Sequence, residues 1–259
     1  MTFCIAMKVE EGIVAIADTR ITSGTERSTA KKMTVFEHGR HSFFLMTSGL
    51  RSVRDKTLAY YEDVVEREDA HFDKLYKAVN AFAEQLRRVR AEDRQALEDG
   101  GLQFNLVSLI GGQLERDTEH KLYLLYPEGN WVEVVKGTPY CLIGESSYGK
   151  PLLERSLLYT SPMETALKIG CLAFFSTRTA TTDVDFPMDV VLYPRDTFHI
   201  HQHRFEYEDL AHVNKWWQDK LRRSIGELPD EWLKHIFPLV APPAGAAPGV
   251  PAPPVIFTE

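Results

Sequence analysis

Two apolar runs at the start of the chain, residues 3–9 and 13–18, leave little freedom in what this sequence can fold into. The first alternates, with Phe3, Ile5, Met7 and Val9 on one side and Cys4, Ala6 and Lys8 on the other, which is the period of a strand. Glu10-Glu11-Gly12 supplies a turn. The second run is apolar at nearly every position, so both of its faces call for cover. A hairpin covered on two sides sits inside a layered domain. It also returns Asp18 to the neighbourhood of Thr2, because antiparallel strands of about equal length bring their outer ends together.

The rest of the chain continues in blocks. Residues 19–30 are polar and read as a loop; 34–37 and 42–47 read as a second hairpin across Gly39-Arg40-His41. Helices are predicted over 50–67 and 72–97, the second from Leu75, Val79, Phe82, Leu86 and Val89 at helical spacing. Strands follow at 104–110, 121–126, 131–135 and 139–143, then a short helix at 150–158. Ser161-Pro162-Met163-Glu164 reads as a helix start with Ser161 as the cap, opening an apolar helix to about 175 that should lie between layers. Late strands at 187–193 and 197–205 precede an amphipathic helix over 208–225. Blocked strands and helices favour an α+β fold of antiparallel sheets with helices outside them. One domain over 1–238 is expected. Residues 239–259 form a Pro/Ala-rich tail ending in the apolar Val255-Ile256-Phe257, either free or docked on a neighbouring subunit.

Several function classes are disfavoured. A net charge of −7 gives no global basic field for nucleic acid. No stretch reaches the length of a membrane-spanning helix, and no basic, then apolar, leader opens the chain. Cys4, Cys141 and Cys171 lie in apolar runs without metal spacing, which suits reduced thiols and a cytoplasmic location. There is no Gly-rich phosphate loop and no zinc-protease helix motif, so no cofactor is implied. His199, His201 and His203 alternate on a predicted strand; such a face either tolerates exposed imidazoles or gathers a metal, and no metal is expected.

Four places can carry chemistry. Removal of Met1 would give Thr2 a hydroxyl and a free α-amine on neighbouring atoms, a nucleophile with its own base. Asp18, followed by Thr19-Arg20, ends an apolar strand and needs a cationic partner, either for a loop-ordering ion pair or for a site. Lys31-Lys32 precedes the second hairpin; a lysine held charged beside an N-terminal amine would lower the pKa of that amine. Ser48-Gly49 leads from strand to helix, either as a simple junction or with the Gly49 N–H aimed at an oxyanion.

These pieces, in this order, resemble the proteasome β-subunit family. The stretch from Met1-Thr2-Phe3-Cys4-Ile5-Ala6 to Ala17-Asp18-Thr19-Arg20 looks like that family's opening hairpin. Lys31-Lys32, Ser48-Gly49 and Gly144-Glu145-Ser146-Ser147 fall at matching places. The long second helix, Pro187-Met188-Asp189-Val190-Val191, and the run from Trp216-Trp217 to Trp232 point to the bacterial Anbu (ancestral β subunit) branch, over about residues 1–237.

The resemblance implies a four-layer αββα sandwich of the N-terminal-nucleophile (Ntn) hydrolase type and a homo-oligomer, ring or ring-like helix. It implies no long propeptide, so that loss of Met1 alone exposes Thr2. Carried over, Thr2 is the nucleophile, Lys32 tunes its amine, Asp18 holds Lys32, and the Gly49 N–H stabilises the oxyanion. Arg20 belongs to the same loop network, and Ile21, Thr47 and Arg51 line the pocket for the residue before the scissile bond. Glu145 stands where many β subunits have a Ser, and Ser146 is the substitute; across residues 177–183, Thr181 and Asp183 offer the supporting groups. The expected activity is hydrolysis of peptide bonds. A non-peptidase amidohydrolase acting on a small amide and a silent assembly protein are the rivals, and an ATPase partner is left open.

Overall fold

The structure, a computed structural model, describes residues 2–23, 26–68 and 72–237. The opening runs form β1 (Phe3–Val9) and β2 (Gly12–Asp18), paired antiparallel from Cys4↔Ala17 to Val9↔Gly12. Every residue of both strands is buried. The residues read as a loop instead hold a small hairpin, β3 (Arg20–Ser23) and β4 (Glu26–Thr29). Its polar residues hid the pairing, because a two-stranded ribbon with no apolar face leaves no alternation to read.

The second predicted hairpin is present as β5 (Met33–His38) and β6 (His41–Gly49), the latter running on through Ser48 and Gly49. Helices α1 (Arg51–Glu68) and α2 (Leu75–Asp99) follow, then β7 (Leu106–Gln113), β8 (Lys121–Leu125), β9 (Trp131–Glu133) and β10 (Tyr140–Gly144). Next come α3 (Lys150–Ser156) and α4 (Met163–Ala180). Ser161 does not cap α4: Pro162 holds the cap position, and the Ser161 hydroxyl accepts from the Leu158 N–H at 3.0 Å. The chain continues through β11 (Met188–Pro194), β12 (His201–Phe205) and α5 (Tyr207–Gly226) to a 3-10 turn at Glu231–His235.

Both large sheets are antiparallel throughout. One runs β10-β1-β2-β11-β12 and the other β5-β6-β7-β8-β9. Alternation sorts their side chains. Cys4, Ala6, Ala15 and Ala17 share a buried cluster with Phe44, Met46, Leu109 and Leu122 of the second sheet. The opposite side of β1 meets α4, with Phe3 edge-on to Phe174 and Gly170 seated against Ile16 and Met7. Phe43, Leu45, Ile110 and Tyr123 turn the other way, onto Val53, Tyr61, Val79 and Phe82 of α1 and α2. Burial of one such aromatic contributes roughly 1.5–3 kcal/mol, so the hairpin carrying Thr2 and Asp18 is anchored from both sides.

The chain divides into two units, 1–214 and 215–259. In the second, Trp232 Nε1 donates to the Pro229 carbonyl at 2.8 Å, and Trp216, Ile225, Leu228, Trp232 and Phe237 are exposed. The expected tail, residues 239–259, lies outside the described residues. Among the described residues no helix is long and apolar enough to cross a membrane.

Candidate active site

Asp18 is the anchor of the site. It is 0% exposed at the end of β2, opposite the start of β1. Its Oδ1 accepts from the Phe3 N–H at 2.8 Å and from Lys32 Nζ at 2.7 Å; its Oδ2 accepts from the Arg20 N–H at 3.2 Å. Burial pushes the Asp18 carboxyl above its usual value, while the Lys32 charge and these three donors pull it back toward the carboxylate. Lys32 is itself 5% exposed. Two backbone bonds deliver it: the Ala30 N–H donates to the Thr19 carbonyl at 2.9 Å, and the Thr47 N–H to the Lys32 carbonyl at 3.1 Å. The β3–β4 hairpin is thus what brings Lys32 back to Asp18.

Thr2 is clamped from its other side. Its carbonyl accepts from the Glu145 N–H at 2.6 Å, and Phe3 pairs with Gly144. At Gly144, φ is +85° and an added Cβ would stand 1.9 Å from the Thr2 oxygen, so only glycine lets the backbones approach this closely. Gly49 is similarly constrained: φ is +145° and a Cβ would meet the Asn105 carbonyl at 2.2 Å.

A cleft of about 740 Å³ opens here, and Thr2, Arg20, Ile21, Lys32, Thr47, Gly49 and Arg51 all line it. Ser28, Ser48, Arg54 and Gly144 also contribute, none of them singled out as pocket residues from the sequence. Cys4 is no rival nucleophile, because burial pushes its thiol far above the ordinary value.

The supporting residues are arranged differently from the sequence reading. Arg20 Nη1 donates to Asp185 Oδ2 at 2.9 Å, and Asp185 also pairs with Arg178. Burial pushes the Asp185 carboxyl up, but the two guanidiniums outweigh it and hold it below its usual range. Asp185 was missed: Asp183-Val184-Asp185 offers two acids, and sequence alone does not say which faces Arg20. Thr181 Oγ1 accepts from the Asp183 N–H at 3.1 Å, a turn contact, and Thr181 shares a smaller cavity with Arg20, Arg178 and Asp185. Thr19 ties this loop to the site by donating to the Pro187 carbonyl at 2.8 Å. Ser146 sits in the turn after β10, where its carbonyl accepts from the Lys150 N–H at 3.0 Å; among the described residues no hydrogen bond joins its hydroxyl to Thr2.

The three histidines of the predicted strand do not gather at one point. His199 precedes β12 and pairs with Glu37, and among the described residues no three His, Cys, Asp or Glu residues converge as ligands.

This fold is proteasome-like, and solved structures similar to it include Anbu proteins, in line with the sequence resemblance. Anbu from Hyphomicrobium sp. strain MC1, a Gly-1 mutant, is 28% identical with a TM-score of 0.80, over 88% of this chain and 99% of that one. Anbu (ancestral beta-subunit) from Yersinia bercovieri is 28% identical with a TM-score of 0.81, over 88% and 98%. A helical assembly of the Anbu complex from Pseudomonas aeruginosa gives 26% identity and a TM-score of 0.83, over 93% and 98%. No protein-family model matches the chain, and no curated protein matches it.

Proposed function

We propose that this chain is an N-terminal threonine hydrolase that cleaves peptide bonds inside a homo-oligomer. The observation that carries the reading is the buried Lys32–Asp18 pair, 2.7 Å long and fixed to the backbone beside Thr2 in a cleft. Loss of Met1 frees the Thr2 amine. The nearby ammonium of Lys32 disfavours protonation of that amine and leaves it able to act as a base. The amine takes the proton of Thr2 Oγ as the oxygen attacks the amide carbonyl, and the Gly49 N–H stabilises the oxyanion. Collapse of the tetrahedral intermediate passes the proton to the leaving amine. Water then hydrolyses the ester and restores Thr2. Arg20 braces the loop through Asp185, while Ser146, Thr181 and Asp183 serve as its outer support.

The same reading takes the two sheets and their outer helices as a four-layer αββα sandwich, with residues 239–259 as an appended tail, in a cytoplasmic protein. Self-assembly is supported by the helical assembly formed by the Pseudomonas aeruginosa Anbu complex and by the exposed apolar side chains between Trp216 and Phe237. Light scattering should give a large oligomer. A peptide epoxyketone should add once, at Thr2, and Thr2→Ala should take up none. If the wild type takes up none although Met1 is absent by mass, the hydrolase reading fails and the silent assembly protein is favoured.

A further inference from the structure

The cleft at Thr2 carries a charge asymmetry that hydrolysis by itself does not require. Among the described residues its lining includes Arg20, Lys32, Arg51 and Arg54 and no carboxylate. The acids that partner these cations stand outside the lining. Asp18 lies buried behind Lys32, Asp185 holds Arg20, and Asp55 faces Arg51 and Arg54.

The four cations are not equivalent. Lys32 is held by a buried carboxylate at 2.7 Å, and Arg20 is drawn to Asp185 at 2.9 Å. Arg54 is a brace: Nε and Nη2 reach Asp55 Oδ1 at 2.8 and 2.6 Å, Nη1 reaches the Lys31 carbonyl at 3.1 Å, and the side chain is only 14% exposed. Arg51 differs. It opens α1 directly after Gly49-Leu50, its side chain is 62% exposed, and its contact with Asp55 is a single 3.3 Å bond from Nε to Oδ2. Arg54 already neutralises that same carboxylate. A guanidinium so placed offers a fork that matches an incoming carboxylate in two parallel bonds. Ile21, Thr47, Leu50 and Leu106 are also in the lining, and none of them carries a charge that would compete with Arg51 for a carboxylate.

We propose that this cleft selects an acidic residue on the acyl side of the bond to be cut, with Arg51 as the receptor for its carboxylate. The proposal rests on Thr2 being the nucleophile only for the position of that residue relative to the bond; the recognition itself is a binding property. It is therefore tested without turnover, on the full-length assembled Thr2→Ala protein. Two N-terminally fluorescent tetrapeptide amides, identical except for a last residue of Glu or Lys, are titrated by anisotropy. The amide caps leave the Glu side chain as the one carboxylate. The Glu peptide should bind at least about tenfold tighter, with an advantage that shrinks as salt screens it. Arg51→Met should abolish the preference and Arg51→Glu should reverse it, with light scattering confirming that both still assemble. On protein with Thr2 intact, matched epoxyketones bearing Glu or Lys next to the reactive group should label Thr2 at rates differing in the same sense. Equal binding of the two peptides, or a Glu preference that both Arg51 variants retain, overturns the proposal. A Glu preference lost in both variants, with no labelling by either electrophile on protein shown by mass to lack Met1, supports acidic recognition and rejects Thr2 as the nucleophile.

Discussion

The opening hairpin supports two buried lysines, and they behave as opposites. Lys32 meets one carboxylate, Asp18, at 2.7 Å; that acid is wholly buried and tied to two backbone N–H groups. Lys8, near the far end of β1 and 1% exposed, meets Glu119 at 3.6 Å and Glu133 at 3.5 Å. Those glutamates are part-exposed and are shared with Lys121. Burial pushes Glu119 up, but Lys121, Lys8 and Lys136 together outweigh it and hold the carboxyl down at about 2. The first pair is a single fixed geometry beside a cleft. The second is a loose network in which any one charge can be replaced. Burial of a lysine therefore does not mark a site; the exclusiveness of its partner does.

Removal of the exclusive partner should have the largest effect. Lys32→Met strands Asp18 in the core without its counter-charge and should cost about 3–5 kcal/mol in denaturant unfolding. Acidification should weaken the Lys8 end next. His120 is fully buried there, its Nε2 within 2.7 Å of the Val9 carbonyl, and faces Lys8, Glu119 and Arg195. Burial first, then Lys8 and Arg195, push its pKa down to about 4, against the hydrogen bond to Val9 and the charge of Glu119. The unfolded chain binds a proton near pH 6.5 that the folded chain refuses until about pH 4, so stability falls as pH drops through that window. The loss should total about 3 kcal/mol, and His120→Gln should flatten it in thermal melts at stepped pH.

Smaller effects separate the two ends further. Gly144→Ala forces a side chain against the Thr2 carbonyl at a positive φ and should cost about 2 kcal/mol or more. Gly39→Ala, at φ +57° with nothing within 4 Å of its Cβ, should cost about 1 kcal/mol. Lys8→Met should cost about 1 kcal/mol or less, because Glu119 and Glu133 keep Lys121. Equal losses for Lys8→Met and Lys32→Met would erase the distinction between the two lysines.

The sequence revealed what periodicity and turn chemistry write down. The hairpin of Phe3 and Asp18, the helix of Leu75 to Val89, and the β6 exit at Gly49 were legible because buried faces repeat and glycines stand where the chain turns. Pairing across long separations was not. That Arg20 would choose Asp185 over Asp183 depends on how the loop before β11 is held, and nothing local records it. Nor did polar residues 20–29 betray a hairpin, although that hairpin delivers Lys32. Arg54 was overlooked as part of the cleft because its role as a brace is set by the Lys31 carbonyl, a backbone group with no sequence signature.

The most direct test is the rate at which an epoxyketone labels Thr2 in assembled wild type, Lys32→Met and Lys8→Met, read by intact mass on protein lacking Met1. Lys32→Met should slow labelling by about a hundredfold or more, the scale of a lost acid–base catalyst, with Lys8→Met close to wild type. Equal rates in all three would contradict the claim that the Lys32–Asp18 pair makes Thr2 a nucleophile.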